Sequence, residues 1–188
     1  MAVQIGAKAH SFNDPTGLLS DCHRRMEMFL GSLVKVATLV DRSPSEETVR
    51  ALQAALRYFS QAAPKHTADE EESLFPRLRG LQDPAVRSAF SALDRLEKDH
   101  ETVSHLHIEV ERLGARYIET GNLSRAETEA FRGAVGKLQD MYREHILLED
   151  STVFPLAARL LSDSEKSAIA QEMAGRRQAT VIGIDDSR

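Results

Sequence analysis

The stretch HTADEEESLFP, from His66 to Pro76, is answered 79 residues later by HILLEDSTVFP, from His145 to Pro155. Both read His, three residues, Glu, four residues, Phe-Pro. Residues four apart on a helix share a face, so Glu70 falls one turn beyond His66 and Glu149 one turn beyond His145. A carboxylate on an inward face is costly unless it is paired or bound to a metal. Imidazole and carboxylate around a helical interior make a transition-metal environment. Two further histidines, His23 and His100, precede His66 and His145 by 43 and 45 residues. The chain thus reads as two related hairpins, each giving one His from its first helix and His-x3-Glu from its second. A pseudo-twofold arrangement of this kind suits two metal ions better than one. His23 also begins its own His-x3-Glu, ending at Glu27, whereas the matching position of the second half is Ser104.

The elements that position these residues are helical. Around His23 lie Met26, Leu30, Leu33, Ala37 and Val40; around His66, Leu52, Leu56, Phe59, Ala63 and Leu74. Around His100 lie Phe90, Leu93, Leu96, Val103 and Val110; around His145, Phe131, Leu138, Met141, Leu148 and Val153. Each set is an apolar stripe of period 3.6 with a histidine inside it. Helix starts are read at Asp14-Pro15, at Ser45, at Asp83-Pro84, and at Ser124, which with Glu127 forms a capping box. Pro76 and Pro155 each lack a backbone donor, so a kink or helix end is expected there. A short fifth helix is expected over roughly 164–174, from the cap signal at Ser162-Asp163-Ser164.

Short loops between long amphipathic helices predict an all-α, up-down-up-down antiparallel four-helix bundle with a short C-terminal helix. The expected division is an N-terminal arm over 1–14, the bundle over 15–161, and the short helix and tail over 162–188. With turns placed near 43, 81 and 121, facing histidines differ in height by two or three residues, roughly 3–5 Å at the helical rise. One histidine per helix therefore reaches the core at one level. Four neutral imidazoles buried together would leave donors and acceptors without partners. Four histidines, bridging Glu70 and Glu149, a bridging oxide or hydroxide and Glu27 fill all but about one or two of the roughly twelve positions that two octahedral ions require.

Composition bounds the remaining classes. The chain has 188 residues, 41% hydrophobic and 28% charged, which suits one soluble domain with a sizeable core. A net charge of -5 offers no electrostatic footprint for nucleic acid. No stretch approaches a membrane span, and the N-terminus has no long apolar run like that of a signal peptide. Cys22 is the only cysteine, which excludes an intrachain disulfide and fits a cytoplasmic setting.

At DCHRRME (His23), HTADEEESLFP (His66, Glu70), KDHE (His100) and REHILLEDSTVFP (His145, Glu149), the chain resembles the hemerythrin-like proteins, also called the HHE cation-binding family. The resemblance implies a bundle around a non-haem, oxo- or hydroxo-bridged centre of two iron ions, ahead of zinc or manganese. It also implies a small diatomic or peroxide ligand: members bind or sense dioxygen, sense iron or redox state, or handle peroxide or nitric oxide. The expected metal ligands are His23, Glu27, His66, Glu70, His100, His145 and Glu149, with no separate catalytic residue. Oxygen carriers of the family have a second histidine four residues after the third-helix histidine, where this chain has Ser104. With Glu27 in the other half, the site reads as asymmetric, histidine-poor and carboxylate-richer. That favours small-oxidant chemistry; the other readings are an iron or redox sensor without turnover and a reversible oxygen binder. His107 and Tyr142 read as ordinary core residues, Glu71 and Glu72 as part of a solvated acidic run, Cys22 as turned away from the site, and His10 as exposed.

Overall fold

The computed structural model describes residues 10–178. Every helix start read from the sequence is made by a side-chain cap. Asp14 accepts from the Gly17 amide to open α1 (Pro15–Leu39), and Ser45 accepts from Thr48 to open α2 (Glu46–Gln61). The second rod continues from α2 through α3 (Ala63–Ala68), a π-helical turn (Asp69–Leu74) and α4 (Phe75–Gly80). Asp83 caps α5 (Pro84–Thr120), which ends at Gly121 with φ of +73°, a left-handed conformation that glycine adopts without strain. Ser124 and Glu127 form the capping box of α6 (Arg125–Leu148). That rod too runs on through a π-helical turn (Glu149–Val153) into α7 (Phe154–Leu160). A second capping box, Ser162 with Glu165, opens α8 (Asp163–Arg176).

The four rods close a ring of neighbours: α1 packs on α2, α2 on α5, α5 on α6, and α6 back on α1. This is the antiparallel four-helix bundle with a short extra helix. That helix is slightly longer than expected and takes in Gly175. The expectations for 1–9 and for the end of the tail lie outside the described residues. No described helix is long and apolar enough to cross a membrane.

The two Phe-Pro pairs correct one expectation. Neither Pro76 nor Pro155 ends its rod. Instead the turn before each proline widens, and the Phe75 amide donates to the Glu70 carbonyl, five residues back, as the Phe154 amide does to that of Glu149. A proline removes one α-helical hydrogen bond, and a π-turn placed just before it accommodates the loss without breaking the rod. Such turns recur at functional sites, and here both contain the carboxylate of the doubled motif.

The apolar interior is in two parts. One cluster includes Met26, Leu33, Phe59, Val103, Leu113, Phe131 and Leu138; the other includes Leu19, Leu74, Phe75, Leu96, Val153, Phe154 and Ile169. The four histidines lie in the layer between them. On every rod one neighbour of the histidine belongs to each cluster, as with Leu19 and Met26 on either side of His23.

Helix α8 closes one end of this layer. It packs on the first π-turn and on α1. Asp69, in that turn, is fully buried, and its two carboxylate oxygens accept from Arg176, the last residue of α8, and Arg177 just beyond it. Arg77 of α4 grips Glu172 of α8 through two hydrogen bonds of 2.7 and 3.1 Å. Replacing Arg176 and Arg177 together by alanine strands the Asp69 carboxylate. We expect a loss of about 3–5 kcal/mol, seen as a lower urea midpoint. A loss under about 1 kcal/mol, the value of an exposed pair, would contradict this account of the clamp.

Candidate metal centre

Six side chains meet in the histidine layer. His23, His66, Glu70 and Glu149 form one group of possible ligands, and Glu70, His100, His145 and Glu149 form another, with the atoms of each group within 4.8 Å of one another. The two groups share both carboxylates. Glu70 presents Oε1 to His66 Nε2 at 3.0 Å and Oε2 to His100 Nε2 at 3.3 Å. Glu149 Oε2 is 3.1 Å from His23 Nε2 and 3.2 Å from His145 Nε2. The Nε2 atoms of His23 and His66 are 3.2 Å apart, as are those of His100 and His145.

These spacings fit a cation better than they fit hydrogen bonding. Glu70 and Glu149 are 0% exposed, and none of their four carboxylate oxygens has a directional hydrogen bond despite the nearby nitrogens. Two nitrogens facing each other share at most one proton. Donors about 2.1 Å from one ion and at right angles lie about 3 Å apart. The six side chains therefore have the donor types and the spacing of metal ligands around two points.

A second layer repeats the twofold pattern. The acid that follows each shared glutamate reaches across to the other half: Asp150 Oδ1 is 3.1 Å from His23 Nδ1, and Glu71 Oε1 is 2.7 Å from His100 Nδ1. Ser20 donates to Asp150 at 2.7 Å and holds it in place. The residue that precedes each first-helix histidine lies behind the other histidine of its own hairpin. Asp99 Oδ2 is 3.6 Å from His145 Nδ1, and the Cys22 thiol lies against His66. A carboxylate behind a histidine keeps the proton on Nδ1 and aims the Nε2 lone pair at the metal. Cys22 is the one thiol in a set otherwise made of carboxylates.

The charges decide what the metal-free layer looks like. Burial alone would lower the histidines. The hydrogen bond to Asp150 and the close Glu149 carboxylate carry His23 up to about 9 instead, and the close Glu70 carboxylate, with Glu149 and Glu71, does the same for His100. His66 is raised well above its ordinary value against its own burial, chiefly by the Glu70 charge. Glu70 is held well below the carboxylate range, against burial, by His66 and His100. For Cys22, burial opposes ionisation, but contact with His66 and the charges of His66, Arg25 and Arg177 outweigh it and lower the thiol.

Glu27 is the expected ligand that the structure does not bring in. It is exposed and borders a groove between α1 and α6, with Leu30, Arg143 and Asp150. The inward stripe of α1 takes the residue three after His23, the buried Met26, and its rotation turns the fourth outward. On α5 the same holds: Val103 is buried and Ser104 exposed. Glu27 and Ser104 thus occupy equivalent outward positions, and the expected asymmetry between the two halves is absent. Each group has two histidines and the same two carboxylates. Glu71 is corrected as well. It is not merely part of a solvated run but the acceptor behind His100, while Glu72 is exposed and pairs with Arg176 at 2.9 Å. His107 bonds to the Tyr142 hydroxyl at 2.8 Å. His10 is exposed, with its amide on Asp21. The doubled motif did carry a sign of the second layer, since an acid follows the glutamate in both copies.

Twofold sets of imidazole and carboxylate donors inside a four-helix bundle define a metal-binding protein. Residues 14–157 match the Hemerythrin HHE cation binding domain, and the chain belongs to that family. It is also similar to an uncharacterized protein of Haemophilus influenzae, with 27% identity over 169 residues that cover 89% of this chain and 92% of that one. Helix α8 lies beyond the matched span.

Two outcomes follow from this geometry. His66→Ala and Glu149→Ala should abolish tight metal binding. Asp150→Asn should weaken it about ten- to a hundredfold, as losses behind a ligand do, and Glu27→Gln should leave it unchanged. Metal content after dialysis against a chelator reads all four, and equal retention across them would contradict the assignment. The second outcome concerns protons. His23 and His100 lie near 9 in the metal-free chain, whereas a metal takes the neutral ring. Metal binding at pH 7.5 should therefore release protons, so its calorimetric heat should vary with the ionisation enthalpy of the buffer. Because both values are raised on folding, the stability these pairs give the metal-free protein is complete below about 6.5 and lost as pH rises through about 9. A heat independent of buffer would contradict the protonated layer.

Proposed function

We propose that the centre holds two iron ions and reacts with small oxidants, dioxygen or peroxide, rather than carrying dioxygen reversibly. The observation that carries this reading is the sharing of both Glu70 and Glu149 between two equivalent groups. Four protein donors per ion leave about two of six octahedral positions for a bridge and a small ligand. Neither group contains a thiolate, and each mixes imidazole with carboxylate, a set that suits iron and leaves room for exchange.

When bound, iron would supply one-electron redox chemistry at this point. The protein's own residues account for the rest. Glu70 and Glu149 would hold two cations close together and offset their charge. Asp150 and Glu71 hold the His23 and His100 rings with Nε2 inward. The apolar clusters flank the layer on both sides. With only two nitrogen donors per ion and anionic oxygen for the rest, the oxidised state is favoured, which works against reversible carriage. Glu27 and Ser104 have no part in this, since both are exposed.

The test is stopped-flow mixing of the reduced, iron-loaded protein with dioxygen and, separately, with hydrogen peroxide. We expect oxidation by both, with a stable oxidised spectrum that does not revert when oxygen is removed. Full return of the reduced spectrum over repeated oxygenation cycles would show a carrier instead. A preparation that takes up only zinc from iron-rich medium would overturn the iron assignment.

A further inference from the structure

A cavity of about 210 Å³ adjoins the centre on the side of α3 and α5, bordered by His66, His100 and His145. Met26, Phe59 and Val103 give it apolar walls, and the exposed Ser104 lies at its edge. It shares Phe59, Pro64, Ser104 and His107 with a second hollow that extends to Ser60 and Glu111. The second hollow lies between α2 and α5, where Ser60, Ser104 and Glu111 are exposed.

One polar pair interrupts the apolar wall. Tyr142 Oη and His107 Nε2 are 2.8 Å apart, and both residues border the cavity. The His107 ring is stacked on Phe59, with centroids 4.4 Å apart and planes 24° apart, which fixes its orientation. A phenol has one donor and two acceptor positions. Among the described residues the Tyr142 hydroxyl has His107 as its one hydrogen-bond partner, so it retains capacity for a guest. Burial lowers His107 to about 4, so its ring is neutral at ordinary pH and carries one N–H and one lone pair. The pair then has two arrangements. With Tyr142 donating to His107, the phenol oxygen accepts from a guest. With His107 donating to Tyr142, the phenol O–H is free to donate to a guest.

From this arrangement we infer that the cavity is a docking site for a small neutral molecule that both donates and accepts hydrogen bonds, of the hydrogen peroxide class. Tyr142 is the contact and His107 the positioning residue behind it. The inference rests on the reading of the centre as one that handles oxidants. Dioxygen donates no hydrogen bond and accepts weakly, so the pair distinguishes the two oxidants. The volume exceeds what two heavy atoms need, a water occupying about 30 Å³ of liquid, so a guest and a water fit together.

The experiment compares the wild type with Tyr142→Phe, His107→Leu and His107→Gln. Each is loaded with cobalt(II) for azide titration by visible spectrum, and with iron for reduced-state kinetics. Tyr142→Phe removes one oxygen from an otherwise unchanged ring. It should weaken azide about three- to tenfold, the effect of one hydrogen bond. It should slow the reaction with peroxide by a similar factor, while the rate with dioxygen and the metal content stay as in the wild type. His107→Leu should behave like Tyr142→Phe, and His107→Gln, which still offers a donor and an acceptor, should restore most of the effect. Unchanged azide affinity in Tyr142→Phe, or equal slowing with peroxide and dioxygen, would overturn the inference. Wild-type azide binding that depends on Tyr142, with no peroxide reaction in any protein, would support the docking site and remove the oxidant-handling function instead.

Discussion

Two carboxylates in the middle of the bundle, Glu70 and Glu149, set the terms for the rest of the fold. Both are fully buried, and their oxygens have no directional hydrogen bonds. Buried unpaired charge is costly, so the surrounding structure must bring cationic partners to them from several directions. One histidine from each rod does this. In the metal-free chain histidine protons serve, with His23 and His100 held up to about 9; bound cations would replace them. The two apolar clusters lie on either side of this layer, and the layer separates them. Hydrophobic burial gives the bundle its general stability, but the height and rotation of each rod must also satisfy the two carboxylates.

The twofold relation between the hairpins extends further than the ligands. The shared glutamates, the π-turns that contain them, the acids that follow them and the residues behind His66 and His145 all come in pairs. Crossed contacts, Asp150 to His23 and Glu71 to His100, tie each hairpin to the other. Two features break the symmetry. Cys22 stands where the other half has Asp99. Helix α8 grips only the first π-turn, through Asp69, next to the Glu70 that both metal positions would use. A helix outside the family's matched span is thus anchored to the residue next to a shared ligand.

Much of this was legible in the sequence, for a definite reason. A histidine within a stripe of period 3.6 must face inward, and capping residues at Asp14, Ser45, Asp83, Ser124 and Ser162 mark helix starts by chemistry that acts within one turn. What was not legible depends on local rotation. His-x3-Glu reads the same at His23 as at His66 and His145, yet only the latter two run into π-turns, and α1 turns Glu27 outward. The third and fourth residues after His66, Asp69 and Glu70, are both buried, whereas after His23 only the third, Met26, is, so spacing alone does not separate the two cases. Proline chemistry marked the positions of Pro76 and Pro155, but a missing hydrogen bond is compatible with a break, a kink or a widened turn, and packing selects among them. The second layer depends on contacts between helices distant in sequence, such as Ser20 with Asp150, which no local pattern specifies.

Anomalous diffraction at the iron edge, on crystals of iron-loaded protein, tests most directly whether two metal positions share Glu70 and Glu149. The account requires two peaks about 3.5–4 Å apart, one beside His23 and His66 and the other beside His100 and His145, with Glu70 and Glu149 reaching both. A single peak, or a second one held by Glu27 on the outer face of α1, would contradict it.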